Sequence, residues 1–158
     1  MMDAQLQREV NEAVRKLYRV ANHAKKETNG AFRKASPILI NAIKQLAPVS
    51  DEPHSRYKGE TKITYYPGNL RRSFRNLTFR RSPAVWVGPK VDKSGTGIEY
   101  KGNKVDGYYA HFVEFGTENQ RPHPFVRPAA QTAGPETLRR AIQELKKQID
   151  SYAQSISV

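Results

Sequence analysis

Apolar residues recur at spacings of three and four along residues 3–26: Leu6, Val10, Ala13/Val14, Leu17, Val20/Ala21 and Ala24. Arg8, Glu12, Arg15, Lys16 and Arg19 take the other side. That period predicts an amphipathic helix. Its stripe reads as core or helix–helix packing, because Asp3, Glu9 and Glu12 dilute the basic face that a membrane-surface helix needs. Asn29-Gly30 then supplies a break. A second helix is expected over residues 31–47, with Ala35, Leu39, Ala42/Ile43 and Leu46 on one side. Within it, Ser36-Pro37 either caps a fresh helix or kinks a continuous one. Ala47-Pro48 ends the helical region 3–47, since a residue before proline is pushed out of the helical conformation.

Residues 48–68 carry three prolines, two glycines and no sustained period, which predicts a long surface loop. Tyr57, Tyr65 and Tyr66 are either contact residues there or local packing. Asn69–Phe74 reads as a short helical turn leading into strand. Residues 76–81 alternate, with Leu77 and Phe79 on one face and Thr78 and Arg80 on the other. Ser82-Pro83 marks a turn and residues 84–87 return as a strand ending at Gly88-Pro89, which together make a hairpin. Residues 90–107 hold four glycines and scattered charge, with Ser94–Gly97 as the tip of a protruding arm. Residues 108–115 fit a short helix ended by Gly116, although their aromatic density also suits a strand. Gly134-Pro135 opens a last helix over 135–154 through Leu138, Ala141/Ile142, Leu145, Ile149 and Tyr152. The expected fold is α+β in one domain, 1–158. Its N-terminal helices and C-terminal helix pack on a small antiparallel sheet with a protruding hairpin or loop.

The most constrained stretch is 108–130, YYAHFVEFGTENQRPHPFVRPAA. It holds an aromatic run, a Gly-Thr break and three prolines (Pro122, Pro124, Pro128) around Phe125. Prolines lock φ and remove amide donors, so residues 121–128 are neither an ordinary helix nor a central strand. The stretch reads as a rigid architectural clamp. Glu114, Gly116 and Thr117 turn the chain, the prolines hold it, and Phe125 with Arg127 makes the contact.

Composition narrows the function. No run of about 18 apolar residues is present, so no membrane-spanning helix is expected, and the polar start MMDAQLQREV lacks a secretory apolar stretch. With no cysteine there is no disulfide, thiolate metal site or thiol redox chemistry. Four dispersed histidines offer no nucleophile–base motif. His111 and Glu114 have the spacing of half a metal site without further ligands. Gly95-Thr96-Gly97 lacks the GK[ST] of a phosphate loop. No enzyme activity, cofactor or metal is expected.

The net charge is +12, which favours an anionic partner. Thr61–Val91 contains no Asp or Glu, whereas Lys62, Arg71, Arg72, Arg75, Arg80, Arg81 and Lys90 all fall there. Arg71, Arg72, Arg75, Arg80 and Arg81 are candidate contacts to DNA or to an acidic neighbour. The other reading is a solvated strand face with partners inside the chain, Glu114 among them. No base-reading motif accompanies them.

Five segments in order carry a resemblance: Ala47-Pro48-Val49, Gly68–Phe74, Val85–Pro89, Tyr109–Thr117 and Pro124–Ala129. Together they resemble the tail-completion or head–tail joining (neck) proteins of lambdoid long-tailed bacteriophages. In that family an AP…TG.L..S element precedes a Y…EFGT…PF.RPA element. The resemblance covers about residues 45–130, and the family's short VDTG stretch is expanded here to Val49–Gly68. It implies a non-enzymatic virion protein, assembled in the host cytoplasm, that joins the DNA-filled head to the tail as a ring around the DNA channel. Implied partners are other neck, connector and tail proteins and further copies of itself, six-fold favoured, with non-specific contact to packaged DNA and no membrane. Interface candidates are Tyr109, Phe112, Glu114, Phe115, Gly116, Thr117, Pro124, Phe125, Arg127 and Pro128. The alternative is a basic DNA- or RNA-binding accessory protein.

Overall fold

A computed structural model describes residues 4–77, 84–91, 98–100 and 103–156. The fold is α+β, with four helices and three two-stranded antiparallel pairs among the described residues. Two compact units are distinguishable. One holds the chain up to Ala35 and from Leu138 onward, and the other holds Ser36–Thr137. No helix of the described residues is long and apolar enough to cross a membrane.

The first unit is built from the N-terminal part of α1 (Ala4–Leu46) and the C-terminal part of α4 (Val126–Ser155). Ala31, Ala35 and Ala141 are buried, and side chains this small let helix backbones come close. His23 stacks on Tyr152 with centroids 4.0 Å apart, and Lys34 meets Glu144 at 3.6 Å. These pairs set an antiparallel register. Leu6, Val10, Val14 and Leu17 stay exposed, so this apolar stripe is not covered within the chain.

Two expected helix boundaries are absent. Helix α1 runs unbroken through Gly30 and Pro37. A helical glycine costs only about 1 kcal/mol relative to alanine, and burial of Ala31, Ala35, Ser36, Ile40 and Ile43 along the helix outweighs it. Helix α4 begins at Val126 rather than at Pro135, which lies inside it. The cause is the capping arrangement described below. Helix α1 ends where expected, with Ala47 N–H bonding Ile43 O at 2.9 Å ahead of Pro48.

In the second unit the 48–68 segment is not a loop throughout. His54–Lys58 (β1) and Thr61–Tyr65 (β2) form a hairpin turned at Gly59-Glu60, with His54 opposite Tyr65. Ile63 and Tyr65 point inward while Lys62 is exposed, so the segment carries a short period of two. Helix α2 (Asn69–Ser73) leads directly into β3 (Phe74–Leu77), which pairs with β4 (Trp86–Pro89). That agrees with the expected hairpin, although residues 78–83, including Phe79 and the Ser82-Pro83 turn, lie outside the described residues. So does the expected arm tip at 94–97. Ile98–Tyr100 (β5) pairs with Asn103–Val105 (β6). The short helix α3 (Ala110–Phe115) ends at Gly116, as read from the sequence. The core joins Ile43, Ala47, Leu70, Phe74, Ala110, Val113, Phe125 and Ala129.

Candidate functional site

The 108–130 stretch is organised by one carboxylate. Glu114, on α3, is buried, and its Oε2 accepts the amides of Phe125 (2.7 Å) and Val126 (2.9 Å). Its Oε1 accepts the amide of Arg127 (3.1 Å). These three residues open α4, and the first four amides of a helix have no partner inside it. The fourth position is Pro128, which has no amide. The first bond within the helix then runs from Ala129 N–H to Phe125 O. One carboxylate and one proline therefore account for every orphan donor at this helix start. Burial pushes the Glu114 carboxyl upward, but the three amides and the Arg127 guanidinium outweigh it and hold the group below its ordinary range.

The chain between the two helices is shaped to close this contact. Gly116 has φ 78°, and a Cβ there would sit 2.7 Å from Gln120 O and 2.9 Å from Pro122 N. Only glycine serves in that conformation and space. Thr117 and Gln120 exchange backbone bonds across a tight turn, and His123 N–H returns to Val113 O at 2.8 Å. Phe125 enters the core edge-on to Phe74 with centroids 5.5 Å apart.

This placement divides the ten interface candidates. Phe125 is 1% exposed and Glu114 is spent on the helix cap, so both leave the contact surface. The expectation that Phe125 presents itself to a partner is thereby corrected. Gly116 serves the turn, and Tyr109 is half-buried, its hydroxyl accepting a bond from Asn69 Nδ2 at 2.9 Å. Pro128 is half-buried at the helix start. Phe112, Phe115, Thr117, Pro124 and Arg127 remain exposed. Phe112, with the His111 ring tilted against it at a centroid distance of 3.9 Å, and Phe115 are the apolar members of that surface.

A second polar centre went unread in the sequence. Asp106 is fully buried, and its Oδ2 accepts Arg56 Nη2 at 2.6 Å and the Tyr65 hydroxyl at 3.1 Å. Arg56 also donates Nε to the Tyr65 oxygen at 3.1 Å and lies 4.0 Å over the Tyr108 ring. Asn69 clasps the Asp106 backbone, donating to its carbonyl at 2.7 Å and accepting its amide at 2.9 Å. Burial pushes the Tyr65 hydroxyl up to about 12, with Asp106 adding to the rise and Arg56 opposing it. Next in the chain, Gly107 leaves no room for a side chain, since a Cβ would stand 2.3 Å from Pro89 Cβ. The available signals were the Gly68-Asn69 and Asp106-Gly107 pairs, but nothing in the sequence says that they meet. Of the tyrosines weighed as contacts, Tyr65 is buried, whereas Tyr57 and Tyr66 are exposed.

The basic residues also separate. Arg71 donates Nε to Ala47 O at 2.9 Å and Nη2 to Gln45 O at 3.5 Å, finishing the C-terminal end of α1. Arg72 braces the turn before α2 through Pro67 O (2.9 Å) and Tyr66 O (3.2 Å). These partners are backbone carbonyls and not Glu114. Arg75 makes no such bond among the described residues, and its Nε is closed off without an acceptor there. Arg80 and Arg81 lie outside the described residues. Among the described residues no group of three or more His, Asp or Glu is placed to hold a metal ion. Compared with family models, with curated proteins and with solved structures, the chain matches none of them.

Proposed function

We propose that the chain is a non-enzymatic structural protein of a long-tailed phage virion, joining the DNA-filled head to the tail at the neck as a ring of copies around the DNA channel. The observation that carries this reading is the Glu114 cap. The two halves of the resembling motif, EFGT and PFVRPA, are bonded to each other as one rigid helix-start. The other resembling segments lie in the same unit, where Arg71 ties α2 to the end of α1 and Asn69 ties it to Asp106. Residues so engaged build a scaffold, which suits an assembly part better than a reaction centre. Exposed Phe112 and Phe115, and the uncovered stripe Leu6, Val10, Val14 and Leu17, are apolar surface of the kind that subunit contacts cover. Deletion of the gene from its phage should leave DNA-filled heads and finished tails that do not join. Normal infectious particles from the deletion would overturn the proposal.

A second reading, a basic DNA- or RNA-binding accessory protein, draws on Arg75 and on Lys44, which make no ion pair among the described residues. It requires steeply salt-dependent binding to duplex by the isolated protein. Charge reversal is informative at Arg75 and Lys44 rather than at Arg71 and Arg72, which hold the fold. Duplex retention unchanged by that reversal would end this reading.

A further inference from the structure

An open groove of about 520 Å³ runs between the end of α1 and the α2–β3 segment. Four cations line it: Lys44, Arg71, Arg72 and Arg75. Asn41, Gln45 and Phe74 complete the lining among the described residues, and none of these is a carboxylate. Arg71 and Arg72 satisfy part of their donor set on backbone carbonyls, but carbonyls leave the positive charge in place. Lys44 and Arg75 have no ion-pair partner among the described residues. The Nε atoms of Arg72 and Arg75 are both shut from solvent with no acceptor. Buried guanidinium donors without an acceptor are costly, and native structures rarely leave them so. Both side chains line one four-cation groove, and the described residues supply no acceptor to either Nε.

We infer that this groove binds an acidic side chain of a neighbouring protein chain, a Glu or Asp carboxylate seated between Arg75 and Lys44. Two features favour a carboxylate on a protein segment over the phosphates of a duplex. The groove has the volume of a few side chains, not the breadth of a double helix. Two of the four guanidinium and ammonium groups are anchored on backbone carbonyls, which leaves two cations and not the row of free cations that tracks a phosphate backbone. A turn of the Arg75 side chain presents its Nε–Nη edge to the two carboxylate oxygens, the geometry of a bidentate pair. Nothing in this binding requires the chain to stand in a phage neck, so its failure and the failure of that proposal are separate.

The test uses the full chain labelled for NMR observation of arginine Nε–H groups, titrated with a polyglutamate peptide, a polyglutamine peptide of equal length and a DNA duplex. Polyglutamate should move the Arg75 Nε–H signal and saturate, with polyglutamine inert. Lys44→Gln should weaken that binding several-fold and Arg75→Gln roughly tenfold or more, the loss expected for a charge-assisted pair. Lys44 is half-buried on a helix surface, so its variant keeps the test open if Arg75→Gln unfolds the strand pair. Three results would overturn the inference. The first is an Arg75 signal unmoved by polyglutamate, and the second is polyglutamate affinity unchanged in both variants. The third is a duplex that saturates the Arg75 signal more tightly than polyglutamate, which would give the groove to nucleic acid.

Discussion

Replacing Glu114 by Gln keeps the size of the side chain and removes its charge and half of its accepting capacity. In the parent, Oε2 takes two amides and Oε1 takes one. The Gln oxygen keeps the two-amide position at best, and its NH2 group then faces the Arg127 amide, donor against donor. The minimum loss is one bond to a charged acceptor, about 1.5–3 kcal/mol. Loss of the negative charge at a helix N-terminus adds about 0.3–1 kcal/mol, so the expected cost is about 2–4 kcal/mol. Urea unfolding followed by Trp86, the only tryptophan and part of the same unit, reads this directly. The midpoint should fall by about 1–2 M at slopes of about 2 kcal/mol per M, with the slope itself unchanged. The pH dependence isolates the charge. The folded group titrates below its ordinary value of 4.5, so its stabilisation is complete above that value and is lost as pH falls through the lower folded value. The gap between parent and Glu114→Gln should therefore be constant near neutrality and close in acid. A variant within about 0.5 kcal/mol of the parent, the scatter of ordinary surface changes, would refute the capping argument. A gap that survived undiminished in acid would refute its electrostatic part.

Other substitutions test the rest of the unit. Phe125→Ala should cost about 3–5 kcal/mol in the same urea assay, the range for a buried aromatic; a folded, fully stable variant would contradict its place against Phe74. Asp106→Asn should cost about 3–5 kcal/mol by leaving Arg56 without its counter-charge, and recovery on combining it with Arg56→Leu would show that the pair, not the site, is what matters. Raising the pH should bring in Tyr65 late. Its hydroxyl titrates at about 12 when folded against an ordinary 10.0, so stability is intact below 10.0 and declines as pH rises toward the folded value. An ultraviolet titration in which every tyrosine ionised together in the native protein would contradict that burial.

Much of the fold follows from local pattern. The period along α1, the stop at Pro48, the antiparallel pair expected over 76–81 and 84–87 and found at Phe74–Leu77 and Trp86–Pro89, and the Gly116 end of α3 are each set by residues within a few positions, which is why they could be read in outline. The misread boundaries have a common cause. Gly30 and Pro135 are helix breakers judged locally, but a breaker's cost of about 1–3 kcal/mol is offset wherever the helix buries a face. Composition misled at 48–68 for the opposite reason, since prolines and glycines masked a five-residue strand on either side of Gly59-Glu60. The site was legible only in part. Phe125 was recognised as an anchor, but an anchor facing inward and one facing outward have the same sequence signature. Glu114 was placed in the turn, and its acceptance of amides eleven to thirteen residues ahead depends on a chain reversal that spacing does not reveal. Asp106 with Arg56, fifty positions apart, was beyond reach for the same reason.

The division between scaffold and surface bears on how the motif should be understood. Glu114 and the run from Phe125 to Pro128 solve one problem, the four unpartnered positions that open α4, and solve it completely only together. Phe125 contributes the hydrophobic weight that fixes where the helix starts. Gly116 permits the reversal that brings the carboxylate there. Each part is costly alone: a buried carboxylate without donors, a helix start without acceptors, a glycine in a strained turn. Such mutual dependence explains why the pairing of EFGT with PFVRPA carries more information than either half. It also separates two kinds of residue within a few positions of each other. Phe112 and Phe115 take no part in the cap, whereas Arg127 gives it both a backbone amide and the charge of its guanidinium. Exchanging the two phenylalanines should therefore leave stability near the parent value while altering whatever the surface of α3 meets.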